Sequence, residues 1–462
     1  MISFSGKFRY LDHTGATVQG GSCRLTIEDD NFRLIPEKGQ PLVLDLGDID
    51  VFSPGDYELS LQLYTGKTIV LHQFGKAFQN LCHDLLEAFR NRLIQCLLLE
   101  DLEEVERFEG FVQLDSADYT FSSPAELRLY KSNLAILPEK ATGLHWRLSD
   151  FDAIDFDDAA YTLELRSGTE RLIITKLAKR TREFMDRLRS AIEDLSDNSA
   201  RVLQTIFPFL SPDQFQLVAG LMREGHATAV SKLAAVHPKI LPVLVEKTVD
   251  SSFKPYFDIL KKRMTMESDF FAGFKMIRPE AEIEAEGESS GESPEREHDE
   301  SVIEEAEEEA AAKSESDTEE KEGEQEQVLH WFFFPLAAKP GVNAPANIVA
   351  WESTSHSGRA TYFFRILPEE KAGNLQDPAK SGGVIESAIQ RLNRALVLLN
   401  FRREPIYLPD DSLETQLRYR RYAIACRKIP VLRELRASYI GRAVHTSLEG
   451  WQKQVDAILA RT

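Results

Sequence analysis

Apolar and polar residues alternate in a stretch near the start of the chain, and the same alternation returns 102 residues later. The first stretch reads "YELSLQLYTGKTIVLHQF" and sets Leu59, Leu61 and Leu63 against polar neighbours. The second reads "YTLELRSGTERLIITKL", with Tyr161, Leu163 and Leu165 in the corresponding places. A period of two marks a strand with one buried face. Thr65-Gly66 and Ser167-Gly168 then supply turn residues, and a second apolar run follows each. Both stretches therefore predict a hairpin. Pro36-Glu37-Lys38 and Pro138-Glu139-Lys140 recur at the same offset.

The period then changes. Phe78, Leu81, Cys82, Leu85, Leu86 and Phe89 recur at helical spacing, as do Phe184, Met185, Leu188, Ala191, Ile192 and Leu195. At an offset of 103, Leu81, Cys82, Leu85 and Phe89 fall on Phe184, Met185, Leu188 and Ile192. A shared apolar stripe predicts a shared docking face. A one-sided sheet must cover its apolar side, and each helix provides the cover. Agreement of turn, alternation and stripe at nearly one offset predicts a tandem repeat.

Several short strands followed by one amphipathic helix, within 1–100 and again within 107–197, resemble the pleckstrin-homology-like superfold. The resemblance implies a bent, half-open barrel closed by its last helix. Members of that superfold that bind phosphoinositides carry basic residues on the first two strands and the loop between them. The first copy offers Lys7, Arg9 and Arg24 there, with Asp12 in the loop. The second, "FEGFVQLDSADYTF", has no basic residue. Charge therefore argues against headgroup binding by the second copy. Protein or peptide binding is the use expected of both.

Beyond the repeat the pattern is helical over 201–266. "LSPDQFQLVAGLMREG" has Ser211 as cap, Pro212 at the first helical position, Gln214 to complete a capping box and Gly225 as stop. Further helices are expected at about 227–236 and 252–264, broken by Pro238 and Pro242. The strand-like runs "DFFAGFKMI", "VLHWFFFPL", "NIVAWESTS" and "ATYFFRIL" follow. A helix carrying Val384, Ile385, Ala388, Ile389, Leu392, Leu396 and Leu399 comes next, and the remainder reads as mostly helical. These patterns predict an α+β domain over 267–462 and an α+β chain throughout: two half-open barrels, a helical connector, and an antiparallel sheet packed with helices.

Charge changes one part of this picture. Residues 280–327 hold 22 acidic side chains against Arg296, Lys313 and Lys321, a net of −19. The rest of the chain carries 52 basic and 53 acidic residues. The acidic stretch has no aromatic residue and too little apolar surface to order itself. It reads as a disordered insertion between two strands of one domain, with an interdomain linker as the alternative. The four cysteines, Cys23, Cys82, Cys96 and Cys426, show no metal-ligand spacing. No secretory signal and no membrane-spanning run is present in the sequence, so a reduced cytoplasmic setting is expected.

Candidate chemistry is sparse. The sequence contains none of the common hydrolase, nucleotide-binding or metalloprotease motifs, and no cofactor is implied. Cys82-His83-Asp84 lies on a helix, where consecutive side chains diverge by about 100 degrees. Asp150, Asp152, Asp155, Asp157 and Asp158 lack the mid-loop glycine of a calcium loop and read as turn and strand-edge residues. Asp48, Asp50 and Asp56 hold the same region of the first copy. His356 reads as an exposed loop residue.

The informative cluster is basic. Between 391 and 442 stand 12 basic and five acidic residues. Arg402, Arg403, Arg418, Arg420, Arg421, Arg427 and Lys428 are its candidate partner- or anion-binding members. Interleaving with Tyr419 and Tyr422 allows contact with phosphates or nucleic acid. Internal ion pairs, or pairing with the acidic stretch, are the competing uses. The leading functional reading is a non-enzymatic interaction or scaffold protein with protein partners. A chaperone-like acidic binder of basic proteins or nucleoprotein is the alternative, and an enzyme with an unrecognised site the third.

Overall fold

Seven strands build the first copy: β1 (Ile2–Leu11), β2 (Thr17–Ile27), β3 (Asn31–Pro36), β4 (Leu42–Asp45), β5 (Ile49–Pro54), β6 (Glu58–Leu63) and β7 (Thr68–His72). They form an antiparallel sheet in the order β4-β3-β2-β1-β7-β6-β5, which does not close into a barrel. The second copy repeats this with β8 (Glu104–Asp115), β9 (Thr120–Tyr130), β10 (Asn133–Pro138), β11 (Leu144–Arg147), β12 (Ala153–Asp157), β13 (Thr162–Ser167) and β14 (Glu170–Thr175), in the equivalent order. The computed structural model describes residues 2–28, 30–116, 120–168, 170–264, 269–277, 327–337, 345–352, 360–366, 378–445 and 447–461. The acidic stretch 280–326 and His356 lie outside the described residues.

The hairpin turns fall where expected. Gly66 (φ +77°) and Gly168 (φ +57°) both adopt the left-handed conformation that glycine reaches without a Cβ clash. One pairing differs from expectation. Tyr161 precedes β13, is 55% exposed and itself has φ +50°. Leu163 and Leu165, paired with Ile174 and Leu172, are the counterparts of Leu59 and Leu61, paired with Leu71 and Ile69. A tyrosine's strand propensity had extended the alternation one step too far.

Each copy ends in its helix, α1 (Phe78–Cys96) and α2 (Thr181–Ile206). Leu81, Leu85, Phe89 and Leu93 enter the first core; Phe184, Leu188 and Ala191 enter the second. A fully buried leucine or phenylalanine contributes roughly 1.5–3 kcal/mol, so each stripe alone can hold its helix to its sheet.

The copies are not separate. All six residues of β10 are buried, although only one face of a strand points into its own core. The reason is α1, which turns a second face to the outer side of the second sheet. Tyr130, Ala135 and Leu137 join the first copy's core there. Arg90 of α1 donates to Glu126 at 3.0 Å and to Glu109 at 3.1 Å. Arg128 also pairs with Glu126 and donates to Asn91 of α1 at 3.0 Å. The Arg90 and Glu126 side chains are each 6% exposed. A Cβ on Gly143 would lie 3.3 Å from Leu93, so the chain passes close against α1.

The described chain divides into two compact units. One comprises 1–203 with 394–437, the other 204–393 with 438–462. Their boundaries fall inside α2, the helix Pro378–Leu398 and the helix Pro430–Ser438. The arginine-rich segment thus groups with the tandem copies.

In the second unit, β15 (Thr228–Ala229), β16 (Phe271–Ile277), β17 (Gln327–Ala337), β18 (Pro345–Glu352), β19 (Ala360–Arg365) and β20 (Tyr439–Val444) pair in chain order. Ile277 and Gln327 are register partners, so the chain leaves β16 and returns beside it in β17. The helices α3 (Pro212–Leu221), α4 (Val230–Val236), α5 (Ile240–Thr248) and α6 (Lys254–Arg263) belong to the same unit. The Ser211–Gln214 capping box forms. Pro242 does not break a helix; it sits in the first turn of α5, where no intrahelical donor is lost. Thr228–Ala229 is strand rather than helix and pairs with β16. The last strand, β20, falls in a region read as helical.

Both faces of this sheet are covered. On one, Phe257 of α6 meets the rings of Phe332, Phe334 and Trp351. On the other, Trp331 Nε1 donates to Asn393 of the helix Pro378–Leu398 at 2.9 Å. Adjacent Trp331 and Phe332 take opposite faces, as the pleat requires.

Candidate functional site: a carboxylate knot clamped by arginines

The site begins in a short turn. Asp45 ends β4, and its carboxylate accepts from Gly47 N at 2.8 Å, starting the 3-10 turn Leu46–Asp48. This turn sets Asp45 and Asp48 just before β5, and Asp50 follows as the second residue of that strand. Arg92 of α1 meets Asp45 through two hydrogen bonds, at 2.9 and 2.7 Å. Burial works against the Arg92 charge, but the bonds to Asp45 outweigh it and hold its pKa above the usual value.

The helix Arg420–Lys428 lies over the knot. Arg420 grips both oxygens of Asp48, at 3.0 and 2.8 Å. Arg427 donates to Asp48 at 2.5 Å and lies over the Tyr64 ring, 3.9 Å from its centroid. Glu414 pairs with both arginines. Lys428 Nζ donates to Ile49 O and to Asp50, each at 2.8 Å. Nearby, Arg421 pairs with Glu100, and Arg402 donates to Asp101 at 2.5 Å. Arg436 ties the segment to itself through Leu408 O at 2.8 Å and Asp410 at 2.6 Å.

Apolar contact supports the charges. Ile424, Ala425, Leu432 and Leu435 are at most 1% exposed. A Cβ on Gly47 would come within 2.8 Å of Ile424 and 2.9 Å of Cys96 Sγ, so only glycine lets the helix approach this closely. Burial raises the carboxyl pKa of Asp48, with Arg420 and Arg427 pulling it back. Burial likewise raises Glu100, opposed by Arg421. The Cys96 thiol is pushed up to about 12 and that of Cys426 to about 11, so both are inert small hydrophobes here.

The second copy shows why the first needs outside cations. At the position of Asp45 it carries Arg147, and at that of Asp48 it carries Asp150. Arg147 binds Asp150 at 2.6 and 3.1 Å, so this turn neutralises itself. The other aspartates of that stretch have local roles. Asp152 accepts from Gly168 N, Asp157 from Ala159 N and Ala160 N, and Asp158 pairs with Arg182.

Of the seven basic candidates, Arg402, Arg420, Arg421, Arg427 and Lys428 are thus drawn into one clamp on the first copy. Arg403 is half-buried. Arg418 is exposed and stacks over the Tyr419 ring at 4.5 Å, beside Leu417, which is 92% exposed. The carboxylates Asp45, Asp48, Glu100 and Asp101 were not singled out by sequence as partners of these arginines. The charge difference between Asp45 and Arg147 in the aligned copies was the available signal.

No family model matches the chain, and no curated protein matches it. Among solved structures, the crystal structure of N-terminally truncated linker-DH/PH domains of p115-RhoGEF is similar over 25% of this chain and 45% of that chain, at 10% identity. The TM-score is 0.17. Among the described residues, no helix is long and apolar enough to cross a membrane.

Proposed function

We propose that the protein is a non-catalytic interaction scaffold whose repeated copies bind helices, through sheet faces and through the turn after the fourth strand. Two internal complexes support this reading, and the α1 contact carries it. The outer face of the second sheet holds α1 by apolar burial around the Arg90–Glu126 pair. The first copy's turn holds Arg420–Lys428 by the same combination of apolar contact and charge. A surface that recognises a helix within the chain has the chemistry to recognise one from a partner. On this reading the arginine segment is a structural clamp, because its charges are spent on carboxylates. A polyanion would have to displace those carboxylates to bind.

The test uses the full-length protein as bait at physiological salt, with nucleic acid titrated in parallel. Saturable retention of a discrete protein partner, with no tight nucleic-acid binding, supports the scaffold reading. Retention of nucleic acid alone, or turnover of a substrate by the purified protein, overturns it.

A further inference from the structure

Strand register makes the two copies comparable residue by residue. Ser5 pairs with Arg24 and Arg24 with Ile35 in the first; Glu109 pairs with Glu126 and Glu126 with Leu137 in the second. Arg24 therefore occupies the place of Glu126, Thr26 that of Arg128, Arg33 that of Ala135 and Ile35 that of Leu137. In the second copy this face is buried under α1, with Glu126, Arg128, Ala135 and Leu137 at most 5% exposed. In the first copy it is open around Thr26, which is itself 6% exposed: Arg24 and Arg33 are exposed, Ile35 is 41% exposed and neighbouring Val43 55%. Arg24 is held only by Ser3, at 2.8 Å, with no carboxylate partner among the described residues.

The helices compare in the same way. Leu81 and Leu85 match Phe184 and Leu188, all at 0% exposure. Arg90 then matches Glu193, and Asn91 matches Asp194. Glu193 and Asp194 are both exposed on α2. The charges are thus reversed on both sides. The covered face presents Glu126 to Arg90, the open face presents Arg24, and the helix without a sheet on that side presents Glu193.

We propose that α2 of one molecule docks on the open face of the first copy of a second molecule, repeating the α1 contact with its charges exchanged. Glu193 meets Arg24. The proposal rests on the reading of these sheet faces as helix-binding surfaces. Ser196 and Ala200 stand where α1 packs Leu93 and Leu97, so the contact has less apolar area than its internal template and is weak. The two surfaces are different, so the association is head-to-tail and adds molecules in series.

Sedimentation of the full-length chain over a concentration series tests this. The mean mass should rise with concentration at low salt. It should return to the monomer value at about 1 M salt, where the Debye length is about 3 Å. Arg24→Glu and Glu193→Arg should each weaken association by at least about tenfold, since each sets like charges against each other. Both positions are exposed, so thermal melting should be unchanged. The double variant carries the pair reversed and should regain association. A wild-type chain that stays monomeric throughout overturns the proposal. So does association that both single variants leave intact, or a double variant no better than the singles. A foreign protein partner captured by a strictly monomeric chain would leave the scaffold reading standing while this one falls.

Discussion

Replacing Glu126 by alanine tests the seam between the copies. Its carboxylate lies between Arg90 and Arg128, and all three side chains are at most 6% exposed. Removal leaves Arg90 with Glu109 and Glu87, whose side chains are 67% and 37% exposed, and Arg128 with Asn91. Breaking a buried ion pair from one side costs about 3–5 kcal/mol, because the remaining charges stay desolvated. With a urea slope of about 3 kcal/mol per molar, the midpoint of the tandem unit's unfolding should fall by about 1–1.7 M. The triple variant Glu126→Leu, Arg90→Met, Arg128→Leu removes the three buried charges together, leaving only the more exposed Glu87 and Glu109, and should recover most of that loss, since buried ion clusters and apolar replacements are often within a few kcal/mol of each other. The assay is equilibrium urea unfolding followed by tryptophan fluorescence, with Trp146 in the second copy's core as the reporter. A Glu126→Ala midpoint within about 0.2 M of wild type would refute the argument that α1 is bound to the second sheet through this cluster.

Three further outcomes are expected. Gly47→Ala should loosen the helix Arg420–Lys428, because the new methyl meets Ile424 and Cys96; hydrogen exchange over 420–428 should quicken while that of β8–β14 stays constant. Burial holds the His330 pKa at about 4, below its ordinary 6.5. Between those values the unfolded chain takes up a proton that the folded chain refuses, so the second unit should lose up to about 3 kcal/mol as pH falls from 6.5 to 4. His330→Phe should flatten that pH dependence in thermal melts. Among the thiols, half-buried Cys82 should react with Ellman's reagent first, while Cys96 and Cys426 should react only on unfolding.

The strands and helices of both copies were legible because each has one wet and one dry side. That contrast writes its period into the sequence, as in Leu59, Leu61 and Leu63. Tyr161 was misplaced because propensity continued where the backbone had already turned. β20 was missed because most of its residues are half-exposed, which gives no alternation to read. Pro242 misled because a proline breaks a helix only beyond its first turn. The clamp lay furthest from view. Arg420 and Asp48 are 372 positions apart, and a run of arginines has the same appearance whether its partners are phosphates or aspartates of its own chain. The one local clue, Asp45 against Arg147, gains meaning only once the turns are superposed.

The most direct test of the account is the coupling between Asp48 and Arg420. Residues 394–437 complete the tandem unit, with the arginines clamped on the first copy's carboxylates. Asp48→Ala, Arg420→Ala and the double variant form a cycle whose non-additivity isolates that contact. For a partly buried pair in which Arg420 Nη2 reaches both carboxylate oxygens, the coupling should be about 1–3 kcal/mol in urea unfolding of the full-length chain. A coupling within about 0.3 kcal/mol of zero would mean that the two side chains do not meet, and the arginine segment would not be the clamp described.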